Sequence, residues 1–162
     1  MEKKDWLKYF PYKEPRDQQE KVLNKVLEDF NNGKKYAVIE CGTGVGKSAI
    51  GITVSRYLNE SFKEDPEVGS YFLTTQKILQ EQYERDFKNI GMKSLYSSSN
   101  YTCKRQKGTS CKDVQDLIRQ GAEKSNQEKC SYDCIYKQKK TEFCDSNLAV
   151  TNFSYFLTEK NY

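Results

Sequence analysis

Hydrophobic and polar residues follow two recurring patterns along the chain. Short runs of β-forming residues occur at Tyr36–Ile39 and at Ser70–Thr75. Behind each run, apolar residues return every three or four positions, which is the spacing of a helix with one buried face. Strand, helix, strand and helix in this order predict an α/β fold built on a parallel sheet, whose ligands bind at the carboxyl ends of the strands.

Further predicted elements flank this pattern. An amphipathic helix is predicted for residues 22–30, and it is expected to end where Asn32 and Gly33 tolerate left-handed backbone. The pattern also predicts a short third strand, a strand that rejoins the sheet and a final apolar segment, at Ser94–Tyr96, 147–152 and 153–157 respectively.

A glycine-rich stretch, Glu40–Ile50, lies between the first predicted strand and the helix that follows it. Its glycines let the backbone curl with the N–H groups inward, so that a phosphate meets several donors and the positive end of a helix dipole. A chance glycine-rich turn is the alternative, but the flanking strand and helix favour a phosphate-binding loop. The loop residues expected to hold the phosphates are Gly42, Thr43, Gly44, Val45 and Gly46.

Two side chains at the end of this loop carry the expected chemistry. Lys47 would reach the β- and γ-phosphates of ATP, and the Ser48 hydroxyl would bind Mg²⁺, so both are candidate catalytic residues. Cys41 stands where the common pattern has glycine, and it is small enough to fit. The aromatic lead-in at residues 6–12 has two interpretations, packing in the core or contact with the adenine ring.

Length and composition limit the class of protein. With 162 residues, the chain is expected to form one domain, or one domain with an insertion. No apolar run approaches the roughly 18 residues that a membrane span needs. The first residues mix both charge signs and lead into no apolar run, so no secretory signal is expected. These features predict a cytoplasmic or nucleoid-associated protein that has no membrane partner.

Residues 101–146 differ from the rest of the chain in composition. They contain five of the six cysteines and few aliphatic residues, and residues 100–146 carry ten Lys or Arg against seven Asp or Glu. The positive excess favours a polyanionic partner, although ordinary surfaces show such an excess too. Val114, Leu117 and Ile118 predict one short helix, which is too little apolar surface to hold the segment together.

The cysteine spacing suggests that a metal centre holds this segment together. Cys103, Cys111, Cys130 and Cys134 are spaced C-x7-C-x18-C-x3-C, and Cys144 follows after nine further residues. Zinc sites favour C-x2-C pairs, which are absent, so the spacing suits an iron–sulfur cube better than a tetrathiolate zinc site. Zinc stays an alternative, and unrelated buried thiols are a third interpretation that fits so polar a segment badly.

Several stretches of the chain match motifs that occur together in one family of enzymes. They are Phe10–Tyr12 with Arg16 and Gln19, Glu40–Ser48, Leu73–Thr75 with Leu79–Gln82, Asn100–Cys103, and Cys134–Tyr136 with Asn147–Asn152. In this order they resemble the N-terminal part of the XPD/DinG family of iron–sulfur superfamily 2 DNA helicases, and they span nearly the whole chain. Cys41 departs from the alanine that the family usually has at this place.

The resemblance implies a partial RecA-like P-loop domain with an inserted iron–sulfur subdomain. Residues 1–99 would be the first part of the ATP-binding domain, 100–146 the insert and 147–162 the return to the sheet. Arg16 and Gln19 would read the adenine edge. The implied ligands of one [4Fe–4S] cluster are Cys103, Cys111, Cys130 and Cys134.

The implied activity is that of an ATP-dependent DNA helicase, which couples ATP hydrolysis to 5′ to 3′ translocation on single-stranded DNA and to unwinding at junctions with duplex. An Asp-Glu-Ala-His motif and a second motor domain are expected in the remainder of the helicase chain. This part alone is therefore expected to be inactive in ATP hydrolysis. The alternative is a regulatory ATP-binding module with a structural zinc site. DNA is expected near Thr75 and along the basic insert, at Lys104, Arg105, Lys107, Lys137, Lys139 and Lys140.

Overall fold

The computed structural model describes residues 5–65, 68–104, 106–121 and 134–158. The chain divides into two units, Met1–Ser70 and Tyr71–Tyr162. No helix in the described ranges is both long enough and apolar enough to cross a membrane.

The first unit is helical. A 3₁₀ turn at Asp5–Tyr9 precedes α1, Asp17–Asn31, and α2 spans Lys47–Ser61. As predicted, α1 ends before a left-handed glycine, Gly33, whose φ is 82°. The apolar faces of the two helices pack together with the lead-in, and the buried residues of this core are Trp6, Phe10, Leu23, Leu27, Ala49 and Ile50.

Two residues of the aromatic lead-in, Trp6 and Phe10, are buried in this core. For them, core packing is the correct interpretation. Trp6 and Phe10 are 4% and 7% exposed. Trp6 Nε1 donates a hydrogen bond to Asn24 Oδ1 on α1 at 2.8 Å. From α2, Arg56 Nη1 donates to the Tyr9 carbonyl at 2.7 Å. The lead-in is therefore tied to both helices.

The strand predicted at Tyr36–Ile39 is wrong. Residues 34–42 form neither strand nor helix, and Tyr36 and Val38 are 88% and 99% exposed. A strand needs a neighbour that pairs with its backbone N–H and C=O groups. Within the described ranges, no strand of the sheet pairs with this segment, so its β-forming side chains alone do not make it a strand.

A three-stranded sheet forms the centre of the second unit. Its strands are β1, Ser70–Thr74, β2, Lys93–Leu95, and β3, Leu148–Asn152, in the order β1-β3-β2. β2 and β3 are parallel, with Ser94 opposite Val150. The first four residues of β3 are buried, as befits a central strand. All three strands agree with the predicted segments.

Four α-helices and two 3₁₀ turns of the described residues accompany these strands. The apolar spacing correctly predicted the helices at Lys77–Phe87 and Cys111–Arg119, whereas the helix at Ile135–Cys144 was missed because it contains few aliphatic residues. The helices are α3, Lys77–Phe87, α4, Cys111–Arg119, α5, Ile135–Cys144, and α6, Phe153–Thr158, and the turns are Lys88–Ile90 and Ser98–Asn100.

Described residues of the cysteine-rich insert pack in the core of the sheet, where the sequence predicted too little apolar surface to hold the segment together. Cys111 of α4 packs with Tyr136 and Phe143 of α5, and all three contact a cluster that includes Leu95 of β2 and Ala149 of β3. Two aromatic residues placed two helical turns apart bury one face of α5. Their large side chains supply the apolar area that a count of aliphatic residues overlooks.

Replacing Phe143 with alanine should therefore destabilise the second unit. The side chain is fully buried, so the loss of apolar contacts and the cavity left behind should cost about 3–5 kcal/mol of unfolding free energy. Phe153→Ala is the matched control, because Phe153 is 46% exposed and its loss should cost about 1 kcal/mol or less. Urea unfolding followed by circular dichroism measures both values, and equal losses would contradict the shared core.

Candidate functional site

The glycine-rich loop predicted to bind phosphate passes into helix α2 at Gly46. Gly44 and Gly46 have φ values of 80° and 85°, both in the left-handed region that favours glycine, and α2 begins at Lys47. The first backbone N–H groups of a helix have no partner within the helix, and they carry the positive end of its dipole. An anionic phosphate therefore finds donors at this junction.

Gln19 holds two carbonyl groups of the loop. Its side chain is almost completely buried, and Nε2 donates to the Val45 carbonyl at 2.9 Å and to the Gly46 carbonyl at 3.4 Å. At the other end of the amide, Oε1 accepts a hydrogen bond from the backbone N–H of Arg16 at 2.9 Å. The amide thus connects the first turn of α1 to the last residues of the loop.

Arg16 holds the carbonyl group of Gly44, which precedes the two that Gln19 holds. Its Nη1 donates to this carbonyl at 2.5 Å. In a trans peptide the C=O and the N–H point in opposite directions. With the carbonyls of residues 44–46 engaged by Arg16 and Gln19, the N–H groups of residues 45–47 point away from these two side chains. Successive N–H groups that share a direction form an anion-binding concavity.

Lys47 lies across the start of the loop. Its ammonium group donates to the carbonyls of Cys41 at 2.9 Å and of Gly42 at 3.0 Å, and the side chain is exposed. A phosphate would compete with these neutral carbonyls for the ammonium hydrogens, and it would prevail because hydrogen bonds between two charged groups are the stronger ones.

The remaining loop residues follow from this arrangement. Gly42 and Thr43 are exposed, and Ser48 is half-buried on the first turn of α2. The structure therefore gathers all of the residues that were proposed to bind nucleotide around one loop. Reading of the adenine edge by Arg16 and Gln19 stays a prediction, and the contacts described above for both side chains go to the loop.

Among the predicted cluster cysteines of the second unit, Cys134 approaches Cys111, and Cys103 and Cys111 flank one short loop. A β-bridge between Thr102 and Ser110 closes the loop between them, with the Cys103 N–H donating to the Thr109 carbonyl and the Cys111 N–H to the Tyr101 carbonyl. Cys134, directly before α5, places its Sγ 4.0 Å from Cys111 Sγ. The fourth predicted ligand, Cys130, lies outside the described residues.

The environment of Cys111 favours its neutral thiol. Burial, and after it the neighbouring Cys134 thiol, raises the pKa of Cys111 to about 11. Cys103 acts on it electrostatically in the same direction. Across the described ranges, no group of three or more His, Cys, Asp or Glu side chains has the arrangement of a metal site, and Cys144 is exposed.

Among the described basic side chains that were predicted to meet DNA, Lys140 is half-buried and the others are exposed. Lys139 pairs with Glu142 at 2.9 Å, and this hydrogen bond lowers the pKa of the carboxyl group. The ion pair offsets one positive charge locally. Arg105 lies outside the described residues, while the other exposed members of the set are Lys104, Lys107 and Lys137.

A cavity of about 360 Å³ opens where the strands of the second unit end. Lys77, which begins α3, Tyr96, which follows β2, and Tyr155, in α6 after β3, are among the residues that line it. The Asn152 amide donates to the Thr75 carbonyl at 3.2 Å, which connects the ends of β3 and β1. The sequence pattern predicts a ligand at these strand ends, but it does not single out the tyrosines.

Residues 12–154 match the family model described as type III restriction enzyme, res subunit. The chain belongs to this family. The res-subunit family is helicase-related and lies in the superfamily 2 P-loop group. No curated protein and no solved structure matches the chain significantly.

Membership of the res-subunit family confirms the coarse prediction of a helicase-like, ATP-dependent enzyme that acts on nucleic acid. It agrees with ATP and Mg²⁺ as cofactors. The match does not support the finer assignment to the XPD/DinG type, and neither it nor the described residues display an iron–sulfur cluster.

Gly46→Ala should impair the loop for two reasons. Alanine is strained at a φ of 85°, and its Cβ would lie 2.4 Å from Gln19 Nε2. Gly44→Ala is the matched control, because φ there is 80° but no atom lies within 4 Å of the added Cβ. The control should lose about 1–2 kcal/mol of stability from strain alone, and Gly46→Ala should lose more and bind ATP less tightly.

Urea unfolding and calorimetric ATP titration measure these differences. Adding Gln19→Ala to Gly46→Ala removes the clash and should recover part of the stability. If Gly46→Ala is no worse than Gly44→Ala in both measurements, the close contact between Gln19 and the loop is not what constrains this position.

Proposed function

We propose that this chain is the nucleotide-binding part of an ATP-dependent DNA helicase that translocates 5′ to 3′ on single-stranded DNA. The observation that carries the proposal is the loop–helix junction at Gly46 and Lys47, in a chain whose family is helicase-related. Unwinding at junctions with duplex requires a second motor domain, since phosphoryl transfer in such motors uses groups from more than one element.

Nucleotide binding follows from the groups around the loop. The N–H groups of residues 45–47 face the phosphates, Lys47 binds the β- and γ-phosphates, and the Ser48 hydroxyl is the protein ligand of Mg²⁺. Bound Mg²⁺ neutralises charge on the β- and γ-phosphates. Arg16, which is exposed beside the loop, contacts the adenine edge in addition to the Gly44 carbonyl, whereas the buried Gln19 amide acts on the nucleotide through the loop carbonyls that it holds.

The strand ends of the second unit are the proposed DNA path. Parallel sheets bind ligands outside the carboxyl ends of their strands, and Thr75 lies at such an end. The exposed lysines of the insert extend a positive surface, which attracts the phosphate backbone without regard to sequence. DNA bound in this way is expected to dissociate as salt concentration rises.

The thiols of the insert are the proposed ligands of a [4Fe–4S] cluster, with Cys103, Cys111 and Cys134 joined by Cys130. The proximity of Cys111 and Cys134 supports a shared inorganic centre. Burial of Cys111 raises the pKa of its thiol, so a nearby cation would compensate for the loss of its proton. The cluster would connect segments that are distant along the chain.

A regulatory ATP-binding module with a zinc site is the second candidate, and one distance favours it. A tetrahedral zinc ion with bonds of about 2.3 Å holds its thiolates about 3.8 Å apart, close to the 4.0 Å between Cys111 Sγ and Cys134 Sγ. In an iron–sulfur cube each cysteine binds a different iron, so the ligand sulfurs are farther apart. Metal analysis separates the two candidates.

Lys47→Ala should weaken ATP binding. Removal of a charged donor to the phosphates should cost about 1.5–3 kcal/mol of binding free energy, as measured by isothermal titration calorimetry with MgATP. Lys63→Ala is the matched control, since Lys63 is an exposed lysine just beyond α2 that pairs with Glu60 at 3.1 Å. Equal ATP affinity for Lys47→Ala and the unmodified chain would reject the assigned loop.

Protein purified anaerobically should be brown and contain about four irons per chain. Serine at Cys103, Cys111, Cys130 or Cys134 should remove the colour and the iron, whereas Cys144→Ser, which changes an exposed thiol, should keep both. Elemental analysis and the visible absorption spectrum provide the measurement. Stoichiometric zinc without iron would reject the cluster and favour the zinc module.

A further inference from the structure

The cavity at the strand ends draws one lining group from the segment that follows each strand of the sheet. Lys77 begins α3, three residues after the end of β1. Tyr96 directly follows β2, and Tyr155 lies in the helix after β3. The parallel order of the sheet brings these three groups to one edge. The cavity volume, about 360 Å³, falls at the small end of the roughly 300–1,000 Å³ found for pockets that hold small organic groups.

Hydrogen bonds hold both aromatic walls in place. The Tyr96 hydroxyl donates to Glu84 Oε2 at 3.0 Å, and the Tyr155 hydroxyl lies 2.5 Å from the Tyr136 hydroxyl. Burial raises the pKa of Tyr96 to about 12, so its hydroxyl keeps its proton at neutral pH. Rings that are fixed before binding lose little side-chain entropy when a flat ligand stacks on them.

The amides around the cavity shape it and leave little capacity for an anion. Asn100 donates to the Ser97 carbonyl at 3.3 Å and accepts from Lys77 Nζ at 3.0 Å. Asn152 donates to the Thr75 carbonyl and accepts from the Ser154 N–H at 2.9 Å. Within this lining, the two fixed tyrosines offer ring faces, and Lys77, whose Nζ also lies 4.0 Å from Glu81 Oε1, offers a positive charge.

We propose that this cavity binds one unstacked base of single-stranded DNA, which stacks on Tyr96 or Tyr155 while Lys77 contacts an adjacent phosphate. The inference rests on the proposed function, because it names how the strand-end surface holds its DNA. Aromatic rings with a nearby cation are the groups that bind single strands without sequence preference, since every base presents a π face. Lys77 Nζ lies over the Tyr96 ring, 5.6 Å from its centroid, so a base that stacks on this face displaces the ammonium group toward the phosphate next to that base.

An abasic scan on the full chain tests the proposal. Fluorescence anisotropy measures the affinity for a duplex with an oligothymidine tail of about twelve nucleotides, whose junction fixes the register, and for the same DNA with one abasic site moved through every position of the tail. At one position, loss of the base should weaken binding about five- to hundredfold, the range expected for one stacked base. Uniform affinity across all positions overturns the proposal, and this comparison needs no protein variant.

Variants then locate the effect. Tyr96→Leu and Tyr155→Leu should weaken binding of the intact strand and reduce the penalty at the sensitive position, whereas Tyr96→Phe and Tyr155→Phe, which keep the rings, should retain the penalty. Lys77→Ala should lower the salt dependence of binding but keep the penalty. Tyr12→Leu, a change at an exposed tyrosine of the first unit, should leave the penalty unchanged.

Crosslinking provides an independent measurement. A strand with 5-iodouracil at the sensitive position should crosslink to Tyr96 or Tyr155, as identified by mass spectrometry, and crosslinks only to other residues overturn the proposal. Salt-dependent binding with no sensitive position rejects the base site alone and leaves the proposed DNA path intact. Absence of single-strand binding at low salt rejects both.

Discussion

The hydrogen bonds of the Gln19 side chain are the constraint on which the phosphate loop depends. One amide links the start of α1 to the carbonyls of Val45 and Gly46, and Arg16 extends the same contact to Gly44. Because peptide groups are planar and trans, fixing these carbonyls also fixes the directions of the N–H groups on the other side. The loop is therefore shaped by a neighbouring helix as well as by its own glycines.

Packing of the cysteine-rich insert on the sheet has a comparable role in the second unit. Phe143 and Tyr136 bury α5 against residues of β2 and β3, and the same packing brings Cys134 next to Cys111. A metal centre at these thiols would reinforce an arrangement that apolar contacts already favour. Loss of metal would then loosen the insert without removing the aromatic contacts that connect it to the sheet.

Contacts between tyrosines connect the thiols of Cys111 and Cys134 to the strand-end cavity. Tyr136 packs with Cys111 and Cys134 in the core. Its hydroxyl is hydrogen-bonded to the hydroxyl of Tyr155, which lines the cavity. Tyr101 accepts a hydrogen bond from the Tyr96 N–H at 3.1 Å, and its ring packs against Tyr136 with centroids 5.7 Å apart. Tyrosine contacts thus form a continuous path between the two features.

Sequence by itself determined the elements whose signals are local. Helical spacing located α1, α3 and α4, β-forming runs located the three strands, and Gly46 and Lys47 marked the loop, because these signals depend on residues close along the chain. Tertiary structure decided the features that need distant partners. Tyr36–Ile39 has the composition of a strand but pairs with no strand of the described residues. The approach of Cys111 to Cys134 and the placement of Tyr96 and Tyr155 on one cavity follow from packing between elements that are far apart in sequence.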